Sequence, residues 1–134
     1  VRILFITSEV AGFAKTGGLG DVSFALPAYL NRAGHDVRVF MPFYGRVDLK
    51  GAAIEPVLRD VVVRLGAHAF STSIVEAKRP GSAPVYLVDC PALYHRPTLY
   101  TADPDEHLRF LVLERAALEA CQRWGFSPDV LHLN

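Results

Sequence analysis

Lys15, Thr16, Gly17, Gly18, Gly20 and Asp21 are gathered in one short stretch, where an apolar run over residues 1–7 gives way to a helical pattern. Residues of these types in this place suit an anion. Backbone amides at a helix opening carry partial positive charge, and an ammonium adds a full one. Glycines let a ligand approach the main chain and relax the φ/ψ limits at the turn. The chemistry implied is a phosphate or sugar-phosphate cradle. The alternative is a tight strand-to-helix turn beside a solvated lysine, and spacing alone leaves the two readings open.

Two common phosphate loops fit poorly. Gly18-Leu19-Gly20 supplies the G-x-G of a dinucleotide fingerprint, but Ser23 stands where the third glycine or alanine belongs. The second strand ends Phe40-Met41-Pro42, with no carboxylate for a ribose. A Walker loop places its lysine and threonine after the glycines, whereas Lys15-Thr16 precede them. NAD, FAD and nucleoside triphosphatase readings are therefore disfavoured.

Other chemistry-bearing residues are scattered. Tyr94, Arg96 and Tyr100 share a polar, aromatic, proline-broken stretch that reads as an ordered loop. Aromatic faces and a guanidinium there suit sugar rings and hydroxyls, with packing as an equal alternative. His132 falls at the end of the last strand pattern, either near a ligand or as a satisfied interior histidine. His35, His68, His95 and His107 lack metal-ligand spacing, so no metal site is expected. Cys90 and Cys121 are two unrelated thiols, read as buried and cytosolic.

The elements that must position these groups follow from periodicity. Ile3 to Ile6 is continuously apolar, as in a parallel strand buried on both faces. Val22, Ala25, Leu26, Tyr29 and Leu30 recur at helical spacing, and Gly34 supplies a left-handed stop. Pro27 lies inside this pattern, so a bend or a delayed start is expected. A second strand over residues 37–41 completes a right-handed β-α-β unit of Rossmann type. Residues 44–51 read as loop, and residues 61–65 and 71–77 as a hairpin joined by Gly66-Ala67-His68. Residues 85–88 form another strand, residues 108–124 a long helix closed by Gly125, and residues 130–133 a last parallel strand.

Composition only bounds the answer. The chain has 134 residues, 51% of them apolar, and a formal net charge of zero, which fits one globular domain, residues 1–134, and implies no nucleic-acid partner. Charges interrupt every apolar stretch before membrane-spanning length, so no membrane partner is expected.

The loop is more specific than its glycines. Ser8-Glu9, then Lys15-Thr16-Gly17-Gly18-Leu19-Gly20-Asp21-Val22, then Ala25-Leu26-Pro27, closely resembles the N-terminal signature of bacterial glycogen synthases and plant starch synthases. The likeness continues through Gly34-His35-Asp36-Val37, Val85-Tyr86-Leu87-Val88-Asp89, Leu93-Tyr94, Arg96-Pro97 and Leu99-Tyr100, and ends in Pro128-Asp129-Val130-Leu131-His132. It implies an α/β fold: a Rossmann-like, mostly parallel sheet with flanking helices and an added β-hairpin. It also implies that residues 1–134 are an incomplete N-terminal, acceptor-side domain of a two-Rossmann-domain (GT-B) glycosyltransferase, inactive alone because the C-terminal domain is missing. The reaction implied is transfer of glucose, with retention, from a nucleotide sugar to the non-reducing end of an α-1,4-glucan, in the cytoplasm. ADP-glucose is the expected donor, UDP-glucose stays open, and no cofactor is implied.

By the same resemblance Asp21 is the catalytic candidate, near the transferred sugar or acceptor. Lys15, Thr16, Gly17, Gly18, Tyr94, Arg96 and His132 are the substrate-binding candidates. Without the resemblance, Asp21 reads as an acid complementing the helix dipole. A non-catalytic sugar or nucleotide-sugar binding module, or a purely structural domain, are the competing functional classes.

Overall fold

The computed structural model describes all residues 1–134. Its strands are β1 (Arg2–Ile6), β2 (Asp36–Pro42), β3 (Ala53–Leu65), β4 (His68–Lys78), β5 (Val85–Asp89) and β6 (Val130–Leu133). The helices are α1 (Gly18–Arg32), α2 (Pro91–Tyr94) and α3 (Glu106–Arg123). All six strands form one sheet in the order β3-β4-β5-β2-β1-β6. β5, β2, β1 and β6 run parallel, while β3 and β4 form an antiparallel hairpin added beside β5.

β1 is a central strand because Ile3, Leu4, Phe5 and Ile6 bury side chains on both faces. Register pairs Phe5 with Val39 and His132, and Ile6 with Phe40 and Leu133, so each trio shares a face. Thr7 continues the Phe5 face and meets Ser23 of α1, their hydroxyls 2.9 Å apart. On the opposite face Phe40 meets Trp124 at the end of α3, ring centroids 6.0 Å apart. The two long helices thus cover opposite faces of the sheet. Ser23, where a third glycine was sought, is a small residue pinning α1 to the end of β1.

Both helices stop as their sequences predict. Gly34 takes a φ of +94°, and the amides of Gly34 and His35 return to Asn31 and Leu30. Gly125 at +62° repeats this double closure after α3. The expected delayed start near Pro27 is not seen. α1 opens at Gly18 and runs through the buried Pro27 as one element.

The hairpin is longer than its hydrophobic pattern. Pairing runs from Ala53↔Lys78 to Leu65↔His68, which leaves a two-residue Gly66-Ala67 turn with Gly66 at a φ of +59° and places His68 inside β4. A positive φ at the first turn position is what a tight hairpin requires. Pro56 is tolerated because β3 is an edge strand, and a bulge around Asp60 (φ +54°) absorbs a register shift. Just ahead of the loop read over residues 94–100, the chain forms the single turn α2. No helix is long and apolar enough to cross a membrane.

Candidate functional site

Parallel α/β sheets present ligand sites at the carboxyl ends of their strands, where the connections diverge to opposite sides. Here the divergence lies at β1, flanked by β2 on one side and β6 on the other. The segment leaving β1 is folded back on itself. Val10 and Ala14 exchange backbone hydrogen bonds, Ala11 donates to the Gly20 carbonyl, and Phe13 is buried beneath the Arg79 guanidinium. This compact loop delivers Lys15 to the opening of α1. The approach is close: a Cβ built on Gly20 would stand 2.6 Å from the Lys15 Cβ.

Lys15, Thr16, Gly17, Gly18 and Asp21 are brought together as expected. Lys15 Nζ lies 2.8 Å from both carboxylate oxygens of Asp21, with the side chains 43% and 61% exposed. Gly17 is the N-cap of α1, and no side chain caps the helix. The reason for its glycine differs from the sequence reading. Its φ of −156° is extended backbone that any residue adopts, so relaxed dihedral limits are not needed there. What the glycines contribute is space, since Cβ atoms on Gly17 and Gly18 would meet no atom within 4 Å. The main chain is therefore directly approachable from solvent at the positive end of a helix.

The Gly17 amide itself is engaged, donating to Glu9 Oε2 at 3.4 Å. The first-turn amides without an intrahelical partner are those of Gly18, Leu19 and Gly20, the last in a buried residue. Glu9 is 2% exposed, and its carboxylate also accepts the Thr16 hydroxyl and, at 2.9 Å, the Tyr100 hydroxyl. Burial raises its pKa, but the hydrogen bonds from Thr16, Tyr100 and Gly17 more than offset this and leave it below the usual carboxylate range. The Thr16 hydroxyl thus points at protein. Glu9 belongs to the signature, but nothing in its immediate neighbours marks its role, because the Tyr100 hydroxyl comes from a distant segment.

Two substrate-binding candidates are engaged by the protein itself. Tyr94 has 0% exposure, its hydroxyl donates to the Arg109 carbonyl at 2.7 Å, and its ring packs edge-on to Tyr44. Burial pushes its phenol well above the ordinary range. It has no surface to offer a sugar. Arg96 places both terminal nitrogens on Asp105 at 2.7 and 2.8 Å, with Asp103 and the Ala92 carbonyl completing the set. Its guanidinium is consumed in holding residues 95–105 against the start of α3.

That strap is pinned again by Arg109, which is fully buried and donates to the carbonyls of Leu93 and Leu99 and to Glu106. Its effect is to present Tyr100, whose hydroxyl bridges Ser8 Oγ at 2.7 Å and Glu9. Tyr44 secures the same corner by donating to the Ser8 carbonyl at 2.8 Å. Ser8 and Tyr100 also edge a cavity of about 340 Å³ on the α3 face, walled by Ile6, Phe110, Leu113 and Leu133. His132 lies on the other face, its half-buried ring stacked on Phe5 at 4.3 Å with no hydrogen bond. No cluster of His, Cys, Asp or Glu side chains is arranged to hold a metal ion.

Comparison with known proteins matches this arrangement to one family. The chain is 44% identical over 138 aligned positions to a glycogen synthase of Photobacterium profundum, covering 100% of this chain and 27% of that protein. It is 42% identical to a glycogen synthase of Myxococcus xanthus, covering 100% of this chain and 29% of that one. Among solved structures it superposes with a TM-score of 0.85 and 30% identity on the catalytic domain of starch synthase IV from Arabidopsis thaliana, bound to ADP and acarbose, over 98% of this chain and 27% of that one. The chain therefore spans little more than a quarter of the length of these relatives. The family model described as the starch synthase catalytic domain matches residues 2–134, and the chain belongs to that family.

Proposed function

We propose that residues 1–134 form the acceptor-side part of a retaining glucosyltransferase that moves glucose from ADP-glucose to the non-reducing end of an α-1,4-glucan. The observation that carries this reading is the Lys15 ammonium beside the uncapped first turn of α1, with no side chain covering Gly17 and Gly18. Cleaving the bond between the anomeric carbon and the diphosphate leaves negative charge on the departing oxygens. Preorganised amides and an ammonium stabilise that charge as it develops, and they need no reorganisation at the moment of reaction.

The Lys15–Asp21 pair is compatible with such a role. An exposed ion pair contributes only about 0–1 kcal/mol, so a diphosphate can take over the ammonium at small cost. Asp21, released from Lys15, is then a carboxylate within the same opening, able to accept a hydrogen bond from a sugar hydroxyl. Lys15 and the amides of Gly18, Leu19 and Gly20 form the donor cradle in this reading. Thr16 and Gly17 shape it, and His132 lies beyond it on the α1 face. The choice of ADP-glucose is supported by the ADP bound in the starch synthase IV relative. A second Rossmann-like half supplies the opposite wall of the cleft, and the cytoplasm is the place of action.

The test uses the full-length polypeptide that carries these residues. Purified protein is given ADP-glucose or UDP-glucose with maltooligosaccharides, and glucan elongation and nucleotide release are followed. Elongation with ADP-glucose, faster than with UDP-glucose, is the expected result. Absence of elongation with both donors, with no protection of the amides of residues 15–21 by either, overturns the assignment.

A further inference from the structure

Glu9 poses a physical problem. A buried carboxylate beneath an anion cradle opposes the ligand the cradle is proposed to hold, so its charge is not there to bind it. Its geometry indicates another use. Carboxylate oxygens accept and cannot donate, and Glu9 spends them on three donors from two distant parts of the chain. Thr16 and Gly17 belong to the loop entering α1, whereas Tyr100 lies 91 positions from Glu9 in the strap before α3.

Each partner is itself constrained. Tyr100 also bridges to Ser8 and tilts against Phe110 at 6.1 Å. Thr101 donates through its amide and hydroxyl to Glu106, and Arg109 holds the Leu99 carbonyl at 2.7 Å, so the residues on both sides of Tyr100 are anchored to α3. On the other side Gly20 of α1 packs over the same carboxylate, its Cβ position 3.5 Å from Glu9 Oε2. One ionised side chain therefore joins the end of β1, the N-cap of α1 and the strap.

We infer that Glu9 is a positioning residue: by holding Thr16 and Gly17 from beneath and Tyr100 from the side, it sets where the first-turn amides of α1 and the Lys15 ammonium point. This rests on the proposed donor cradle. A carboxylate kept ionised by its hydrogen bonds serves this purpose better than a neutral amide, which must turn a donor toward either Gly17 or the hydroxyl pair. Glu9 supplies the side-chain acceptor for the Gly17 amide.

The experiment compares wild type, Glu9→Ala, Glu9→Gln, Tyr100→Phe and the Glu9→Ala/Tyr100→Phe double variant in the full-length polypeptide. ADP affinity, the KM for ADP-glucose, the KM for maltooligosaccharide, the melting temperature and amide exchange of residues 16–20 are read. Misaimed groups cost up to about a hundredfold. Glu9→Ala is expected to weaken ADP and raise the ADP-glucose KM by about ten- to a hundredfold. The glucan KM should stay unchanged and the amides of residues 16–20 should exchange faster. Glu9→Gln should recover part of the loss, and Tyr100→Phe should cost a few-fold alone and nothing further on Glu9→Ala.

Wild-type ADP affinity and wild-type exchange in Glu9→Gln and Glu9→Ala overturn the inference. So does a fall in kcat alone with ADP affinity intact, which would make Glu9 a participant in the chemistry. If Glu9→Ala fails to fold, Glu9→Gln and Tyr100→Phe carry the same readings. Should wild type itself not bind ADP, the donor reading fails on its own, while amide exchange still decides whether Glu9 sets the loop.

Discussion

The Lys15 ammonium lies 2.8 Å from each carboxylate oxygen of Asp21, six residues further on and in the first turn of α1. Both side chains are substantially exposed, so the pair adds little to the fold. Its partners are exchangeable. Replacing Lys15 by Ala should leave the melting temperature near wild type while weakening ADP-glucose by about 1.5–3 kcal/mol, roughly ten- to a hundredfold. Asp21→Asn should leave ADP affinity at or above wild type and lower kcat. Calorimetric ADP titration with steady-state kinetics measures both, and unchanged kinetics in Lys15→Ala would return it to a solvated turn lysine.

Tyr94 and Arg96 should behave as scaffold. Tyr94→Phe removes a buried hydrogen bond while the Arg109 carbonyl keeps its partner within α3, costing about 0.5–1.5 kcal/mol in denaturant titration. The KM for maltooligosaccharide should not change. Arg96→Ala should loosen residues 95–105, read as faster amide exchange there, with ADP affinity reduced only through Tyr100. A glucan KM that rises in Tyr94→Phe at constant stability would contradict its burial.

Acid should loosen this corner in a defined direction. Glu9 and Glu106 each have burial raising the carboxyl pKa and hydrogen bonds, from Thr16 and Thr101 first, more than offsetting it, so both lie below their ordinary value in the folded state. A group depressed on folding contributes stability that is complete above its unfolded pKa and is lost as pH falls through the folded one. Stability should therefore hold down to about pH 4.5 and decline below it. Glu9→Gln should flatten that decline. Thermal melts between pH 7 and pH 3 provide the check.

The β6 edge should drive self-association of a 134-residue polypeptide. Val130, Leu131 and Leu133 are exposed on a strand whose outer hydrogen-bonding edge is unpaired. Such edges template pairing with another chain. Light scattering should show mass rising with concentration, and Leu131→Lys should suppress it. A strictly monomeric species at high concentration would count against this.

What could be read from the sequence is what is encoded locally. The apolar run of β1, the 3.6-residue period of α1, the stops at Gly34 and Gly125, and the delivery of Lys15 to a helix opening each depend on residues within a few positions of one another. The glycine motif suggested an anion cradle for the same reason, because its amides and its ammonium are close in the chain. Hydrophobic spacing also marked the hairpin, but its full length depended on β4 pairing that carries β3 past Pro56.

Tertiary structure decided the rest, because burial and hydrogen-bond partners arise from segments far apart in sequence. Tyr94 was a candidate ligand on type alone, and only packing against Tyr44 and Arg109 removes it from solvent. Gly17, read locally, offers its amide to a phosphate, and the fold instead sets Glu9 beneath it. Glu9 itself carried no local signal of its role, since the hydroxyl that completes its shell comes from Tyr100 on the far side of the chain. Sequence specifies which groups are available, and the sheet, by bringing the end of β1 under α1 and beside the α3 strap, decides which of them remain free.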